Sequence, residues 1–310
     1  MVSVRILPLV ASATEIVHAL GLGAYQIGRS HECDYPVDVA KLPVCTKPSI
    51  PVDGDSAMID GLVKSRVLQA ASVYDVDAEL ISRLRPTHIV TQTQCKVCAV
   101  SLDDVENALT RQTGTNAELV PLEAESLAGI WEDIQRVADS CGIRERGEYL
   151  VAELQGKMSR ISQIAHQGSR RRVAAIEWLE PLMCAGNWIP ELLSLANAEA
   201  LFGKPGAHSP YFEWDDLARA DPDVIVAMPC GFDRERTELE MRWMTCRPQW
   251  PGLRAVKDGE VYVCDGNQYM NRPGPRVLES LQIFAEILHP SFFRPELRGK
   301  GWERYTAAVE

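Results

Sequence analysis

Two cysteines three positions apart, Cys95 and Cys98 in TQCKVC, follow the apolar run THIVT, and His31 and Cys33 stand together in HECDYP. Two or three thiolates with an imidazole form a soft nitrogen–sulfur set. Such a set suits zinc, or iron–sulfur if Cys184 or Cys230 joins. A Cys-x-x-Cys pair can instead cycle through a disulfide, and that chemistry places it at a helix N-terminus, where the dipole lowers a thiol pKa. Here Ser101 reads as the cap of LDDVENAL, so the pair sits just ahead of a helix. The plainer alternatives are a His31 bonded to a backbone carbonyl and a Cys33 used for packing. Cys45, Cys141, Cys246 and Cys264 show no partner spacing and read as small buried or half-buried residues.

The elements that must position these residues alternate. VRILPL (4–9), AYQIGRS (24–30), THIVTQ (87–92) and AELVPL (117–122) read as strands. SATEIVHALGLG (12–23), with Ser12 or Thr14 as cap and Gly21 or Gly23 as stop, DVDAELISRLRP (75–86) and SLDDVENALTRQTG (101–114) read as helices. From 126 to 167 the pattern is helical, including one long helix over 148–167. Strands return at 171–179, 222–228 and 259–264, and a last helix lies within 272–290, with Pro273 in its first turn. This alternation predicts an α/β fold: two Rossmann-like lobes with mainly parallel sheets, joined by one long α-helix. The expected boundaries are a first lobe over 1–143, a linking helix over 144–168 and a second lobe over 169–310. The halves echo each other: LISRLRPTHIVTQ aligns with WDDLARADPDVIVAM, pairing Pro86 with Pro222, Ile89 with Ile225 and Val90 with Val226.

Open parallel sheets bind ligands beyond the carboxyl ends of their strands. In the first half that rule selects His31, Glu32, Cys33 and Gln94 as ligand contacts, with His31, Cys33, Cys95 and Cys98 as the metal set. In the second half it selects Glu177, Trp178, Asn187, Trp188 and Cys230, then Asn267, Tyr269 and Arg272. Facing lobes would gather these loops along one cleft. Its aromatic, amide and sulfur character suits a sizeable, partly polar ligand. Helix N-termini at Ser12, Trp188 and Gly274 would favour anionic groups on it.

Composition sets the limits. The 310 residues are 46% hydrophobic and 24% charged, with a formal net charge of −11. That charge argues against nucleic acid, and the run Arg170–Arg171–Arg172 reads as a solvated lobe edge. No stretch approaches the roughly 18–20 apolar residues of a membrane span. MVSVRILPLV runs directly into a strand without a signal-peptide pattern, and the nine cysteines are an odd number, so a reducing cytoplasmic location is expected. No Gly-rich phosphate loop, nucleophile elbow or paired-carboxylate motif points to an enzyme.

The stretches LVASATEIVHALGLG, IGRSHECDYP, DPDVIVAMPCGFD and LRAVKDGEVYVCDGNQYMNRPGPR, with the long mid-chain helix, resemble the substrate-binding proteins of cobalamin and iron–siderophore ABC importers. They are most similar to the cobalamin-binding branch, over about residues 4–290. The resemblance implies a ligand held between two lobes with little hinge motion, cobalamin or a related corrinoid as that ligand, and an ABC permease as partner. The expected function is non-catalytic ligand binding of the corrinoid type. The alternative is a metal-binding or thiol-redox protein using His31, Cys33, Cys95 and Cys98.

Overall fold

The computed structural model describes residues 4–68, 74–93 and 117–306. The chain divides into two compact units. One comprises Met1–Gly54, Met58–Glu153 and Pro273–Pro275; the other comprises Asp55–Ala57, Leu154–Arg272 and Arg276–Glu310.

In the first unit the apolar strand β1 (Ile6–Pro8) is wholly buried and runs into helix α1 (Ala11–Ala19). The helix starts before Ser12. Extended Val10 caps it without a side-chain bond, and Ser12 and Thr14 are buried in its first turns. Gly21, at φ +74°, ends it in the left-handed region, and the Leu22 N–H reaches back to Val17 O at 2.9 Å. Gly274 packs over this helix start, where a Cβ would lie 3.6 Å from Ser12 Cβ.

Residues 24–30 do not form the expected strand. A 3-10 turn, Gly23–Tyr25, is followed by single bridges from Gln26 to Ile6 and from Arg29 to Val44. The segment bonds first one neighbour and then another, as in Ile27 N–H to Ile6 O and Arg29 N–H to Pro43 O, so no ladder builds. Beyond it come β2 (Thr46–Pro48), α2 (Ser56–Leu68) and β3 (Tyr74–Val76), with β2 and β3 antiparallel. Asp77 caps α3 (Ala78–Leu84) by accepting the Leu80 N–H at 2.9 Å. Strands β4 (His88–Gln92) and β5 (Glu118–Leu122) complete a parallel sheet in the order β1-β4-β5. The helix expected over 101–114 lies outside the described residues.

Helix α4 (Leu127–Ser140) is capped by Ser126 and buries Ile130, Ile134 and Val137 at helical spacing. Asp133, on the same helix and 1% exposed, accepts the N–H groups of Glu123 and Ala124 and pairs with Arg136. It thereby ties the turn after β5 to α4. Burial outweighs these donors and pushes its pKa up to about 6. Asp133→Ala leaves those amides without an acceptor and is expected to cost about 2–4 kcal/mol in urea unfolding. A loss under about 0.5 kcal/mol would mean that water replaces the carboxylate.

Helix α5 (Arg144–Ala165) starts ahead of the expected 148, and the division between units falls inside it, after Glu153. The second unit then follows with β6 (Arg171–Leu179), β7 (Leu182–Cys184), α6 (Ile189–Leu195), β8 (Ala198–Ala200), α7 (Trp214–Ala220) and β9 (Val224–Ala227). The remaining elements are α8 (Arg234–Glu240), α9 (Arg242–Thr245), α10 (Arg254–Lys257), β10 (Val261–Cys264), α11 (Val277–Leu288) and β11 (Trp302–Arg304). The sheet runs β11-β10-β9-β6-β7, with β8 also on β6. Its centre, β10-β9-β6, is parallel, and β7 and β11 are antiparallel edges. Every residue of β9 and β10 is buried, which is why VIVA and VYVC carry continuous apolar runs. Pro273 lies ahead of α11, not in its first turn, because Arg276 is the cap residue.

The sequence echo is a real structural device. Arg85 (φ 46°) and Asp221 (φ 43°) each end a helix in the left-handed region, immediately before Pro86 and Pro222. The chain then enters β4 and β9, where Ile89, Val90, Ile225 and Val226 are all buried. Proline cannot extend the helix and disfavours a helical residue before it, so both helices stop at the same point of the motif.

Candidate functional site

In the first unit His31 lies past the carboxyl end of the extended segment 26–30, which runs beside β1. Its loop is tied down by Arg29, whose guanidinium donates to Ser30 O at 3.1 Å and Cys33 O at 3.2 Å. The His31 N–H donates to Thr46 Oγ1 at 3.1 Å, and ring Nδ1 sits 2.8 Å from the same oxygen. The ring packs on Tyr74, with centroids 5.4 Å apart. Tyr74 donates its hydroxyl to Glu32 Oε1 at 3.2 Å, and that carboxylate oxygen is 4.0 Å from His31 Nε2. His31, Glu32, Thr46 and Tyr74 thus form one polar cluster. Cys33 is 1% exposed. Sequence reasoning missed Thr46 and Tyr74, because each reaches His31 only through the fold. Gln94, Cys95 and Cys98 lie outside the described residues. Among the described residues no group of three or more His, Cys, Asp or Glu side chains could hold a metal ion.

Burial, and then the nearby Arg29 charge, lower the His31 pKa to about 4. A folded-state value below the unfolded 6.5 means that the native protein binds fewer protons than the unfolded chain between those limits. This contribution is fully present above about pH 6.5 and is lost as pH falls toward 4, by at most about 3 kcal/mol. Asp133 and Asp265, each pushed up to about 6 mainly by burial, act in the opposite sense over much of the same window. The difference between wild type and His31→Gln isolates the histidine. Their urea midpoints are expected to converge as pH drops from about 7 to about 4.5. Parallel curves would show that His31 is protonated without penalty.

In the second unit the strand-end loops are bonded to one another. Glu177 accepts the Ser209 hydroxyl at 2.9 Å, and Ser209 Oγ accepts the Gly186 N–H at 3.0 Å. Asn187, at φ 52°, bonds Ala207 O through its N–H at 2.7 Å. The Cys230 N–H donates to Glu177 O at 3.2 Å. Trp178 donates its indole N–H to Ser56 O at 3.2 Å and stands 5.3 Å from the Phe232 ring, over which Arg236 lies at 3.7 Å. The turn after β10 packs backbone to backbone on the loop after β9. A Cβ on Gly266 would lie 2.0 Å from Pro229 O, and the Asn267 N–H donates to Phe232 O at 3.0 Å. Arg272 donates to Asn267 Oδ1 at 3.0 Å, and Arg276 covers the Tyr269 ring at 4.4 Å.

Of the candidates here, Glu177, Trp178, Asn187, Cys230 and Asn267 retain partial exposure, whereas Trp188, Tyr269 and Arg272 are buried. Phe232, Ser209 and Arg236 join them without having been selected, since nothing in GFDRER marks its aromatic as a partner for Trp178. Cys184 is held as a neutral thiol, pushed up to about 12 by burial and by the neighbouring Glu177, and buried Cys264 is raised well above the usual thiol range. Neither offers a thiolate at neutral pH.

A sequence model of the family described as "Periplasmic binding protein" matches residues 9–268. An uncharacterized ABC transporter substrate-binding lipoprotein of Bacillus subtilis (strain 168), YvrC, is 21% identical over 299 residues, covering 94% of this chain and 81% of that protein. The periplasmic vitamin B12 binding protein BtuF of Vibrio cholerae superposes with a TM-score of 0.65 at 19% identity, covering 93% of this chain and 97% of that one. A possible iron-binding, periplasmic solute-binding protein of Staphylococcus epidermidis gives 0.70 at 20% identity, covering 92% and 98%. A periplasmic heme binding protein of Pseudomonas aeruginosa gives 0.69 at 17% identity, covering 93% of each chain.

Proposed function

Because the chain belongs to the periplasmic binding protein family, we propose that it is a non-catalytic binding protein of the corrinoid type, which holds a flat metal–macrocycle ligand. The observation that carries this reading is the aromatic and amide character of the strand-end loops. His31 on Tyr74 lies in one unit, and Trp178 on Phe232, with Asn187 and Asn267, in the other. Flat macrocycles present large apolar faces rimmed by amides or carboxylates, and rings and amides match both parts. Vitamin B12 and heme in the names of two structural relatives support the same ligand class. The partner in this reading is an ABC permease, in keeping with the Bacillus relative's name. A cytoplasmic location, in keeping with the odd number of nine cysteines, is the alternative to permease docking, because an importer's binding protein meets its permease on the outer face of the membrane. Cell fractionation with a periplasmic marker tests that point directly.

The binding test is titration of the purified protein with aquacobalamin, aquacobinamide and hemin, followed by tryptophan fluorescence and ligand absorption. At least one is expected to bind with Kd below about 10 μM. Saturation by none of them would end the corrinoid and heme reading. Stoichiometric zinc in a protein that binds no macrocycle would favour the His31, Cys33, Cys95 and Cys98 site instead.

A further inference from the structure

We propose that His31 supplies an axial nitrogen, Nε2, to the metal at the centre of the bound macrocycle, with Thr46 as the residue that positions it. This inference rests on the metal–macrocycle reading above and adds to it a specific bond.

The hydrogen bonding of the ring is asymmetric. Nδ1 is 2.8 Å from Thr46 Oγ1, and the His31 backbone N–H reaches the same oxygen at 3.1 Å. A hydroxyl oxygen carries two lone pairs, so it can accept both N–H groups. With Nδ1 as donor, the lone pair on Nε2 is left available. Nε2 is 4.0 Å from Glu32 Oε1, beyond hydrogen-bonding distance, and that oxygen already accepts the Tyr74 hydroxyl at 3.2 Å. The His31 side chain is 24% exposed, so Nε2 is not sealed in the core. Tyr74 packed on the ring and Arg29 bonded to the loop carbonyls hold the imidazole in place. An imidazole with one nitrogen anchored and the other open has the arrangement of a metal-ligating histidine.

A cobalt or iron whose equatorial positions are filled by a macrocycle needs only an axial donor, and imidazole suits iron and the neighbouring first-row metals. One open imidazole nitrogen is therefore enough for a metallo-macrocycle with an exchangeable axial site.

The test uses the full chain with cobinamide, which lacks a nucleotide base of its own. Aquacobinamide has an exchangeable axial water; dicyanocobinamide has both axial positions blocked. The wild type is expected to bind aquacobinamide at least about tenfold more tightly than dicyanocobinamide. Reduced to the Co(II) state, the complex should show nitrogen superhyperfine splitting in its electron paramagnetic resonance spectrum. His31→Ala should abolish the splitting and the preference. Thr46→Val should keep the splitting but weaken aquacobinamide binding by about 10-fold or more. Binding of both cobinamides by the wild type without nitrogen splitting, or splitting that survives in His31→Ala, overturns the His31 bond while leaving the binding function intact. If the wild type binds neither cobinamide nor hemin, the functional reading falls and this inference falls with it. The wild-type spectrum alone decides the bond if either variant fails to fold.

Discussion

Glu286→Ala is expected to remove about 3–5 kcal/mol of stability, the cost of stranding several donors around a deleted buried carboxylate. Glu286 lies on α11 and is 2% exposed. Its oxygens accept the indole N–H of Trp302 at 2.7 Å, the N–H groups of Glu296 and Leu297 at 3.1 Å each, and the Gln282 amide at 3.1 Å. One carboxylate thus ties the chain after α11, and the edge strand β11, to the helix. The milder change Glu286→Gln keeps one acceptor oxygen and should lose less, about 1–3 kcal/mol. Urea unfolding measures the loss. Hydrogen exchange at the Glu296 and Leu297 amides should quicken in both variants. Unchanged exchange at those amides would show that the turn is held by other contacts.

Gly266→Ala is expected to cost more than about 3 kcal/mol and to weaken ligand binding at the same time. The added Cβ would lie 2.0 Å from Pro229 O and 2.8 Å from Met228 O, and neither is a flexible side chain. Backbone at that point is fixed by the Met228 N–H on Ile176 O at 2.8 Å and by Asn271 Nδ2 on Met228 O at 3.1 Å. Relief therefore requires the turn carrying Asn267 to move away from the loop carrying Cys230 and Phe232. Gly156→Ala is the control. It lies within α5, a Cβ there meets nothing within 4 Å, and the change should stabilise by about 0.5–1 kcal/mol. Equal melting temperatures for Gly266→Ala and wild type would mean that the two loops separate freely.

The sequence is most informative where burial is symmetric or a helix stops abruptly. THIVT and DVIVAM are legible because parallel strands covered on both faces carry unbroken apolar runs, and Pro86 and Pro222 punctuate them. It is silent on β7, β8 and β11. An edge segment such as AEA (198–200) has too few residues to show alternation, and only its pairing with β6 makes it a strand. The segment 24–30 misleads for a related reason: its composition is strand-like, but its partners change along its length. In the candidate site, His31 and Trp178 stand out because residue type coincides with a place near the end of an extended segment. Thr46, Tyr74, Phe232 and Ser209 do not, because each matters through a neighbour distant in sequence, such as Glu177 for Ser209, 32 positions away. The burial of Trp188, Tyr269 and Arg272 is equally hidden, since a strand-end loop can turn its large side chains inward.

The route of the chain through its two units has a consequence for biogenesis. The first unit contains Pro273–Pro275, of which Gly274 packs over Ser12 at the start of α1, and the second contains Asp55–Ala57. A nascent chain therefore cannot finish its first unit from its own amino-terminal stretch. That unit stays incomplete on the ribosome until residues 273–275 have emerged, by which time most of the second unit has been made. A single cut in the polypeptide likewise yields no fragment that owns one whole unit.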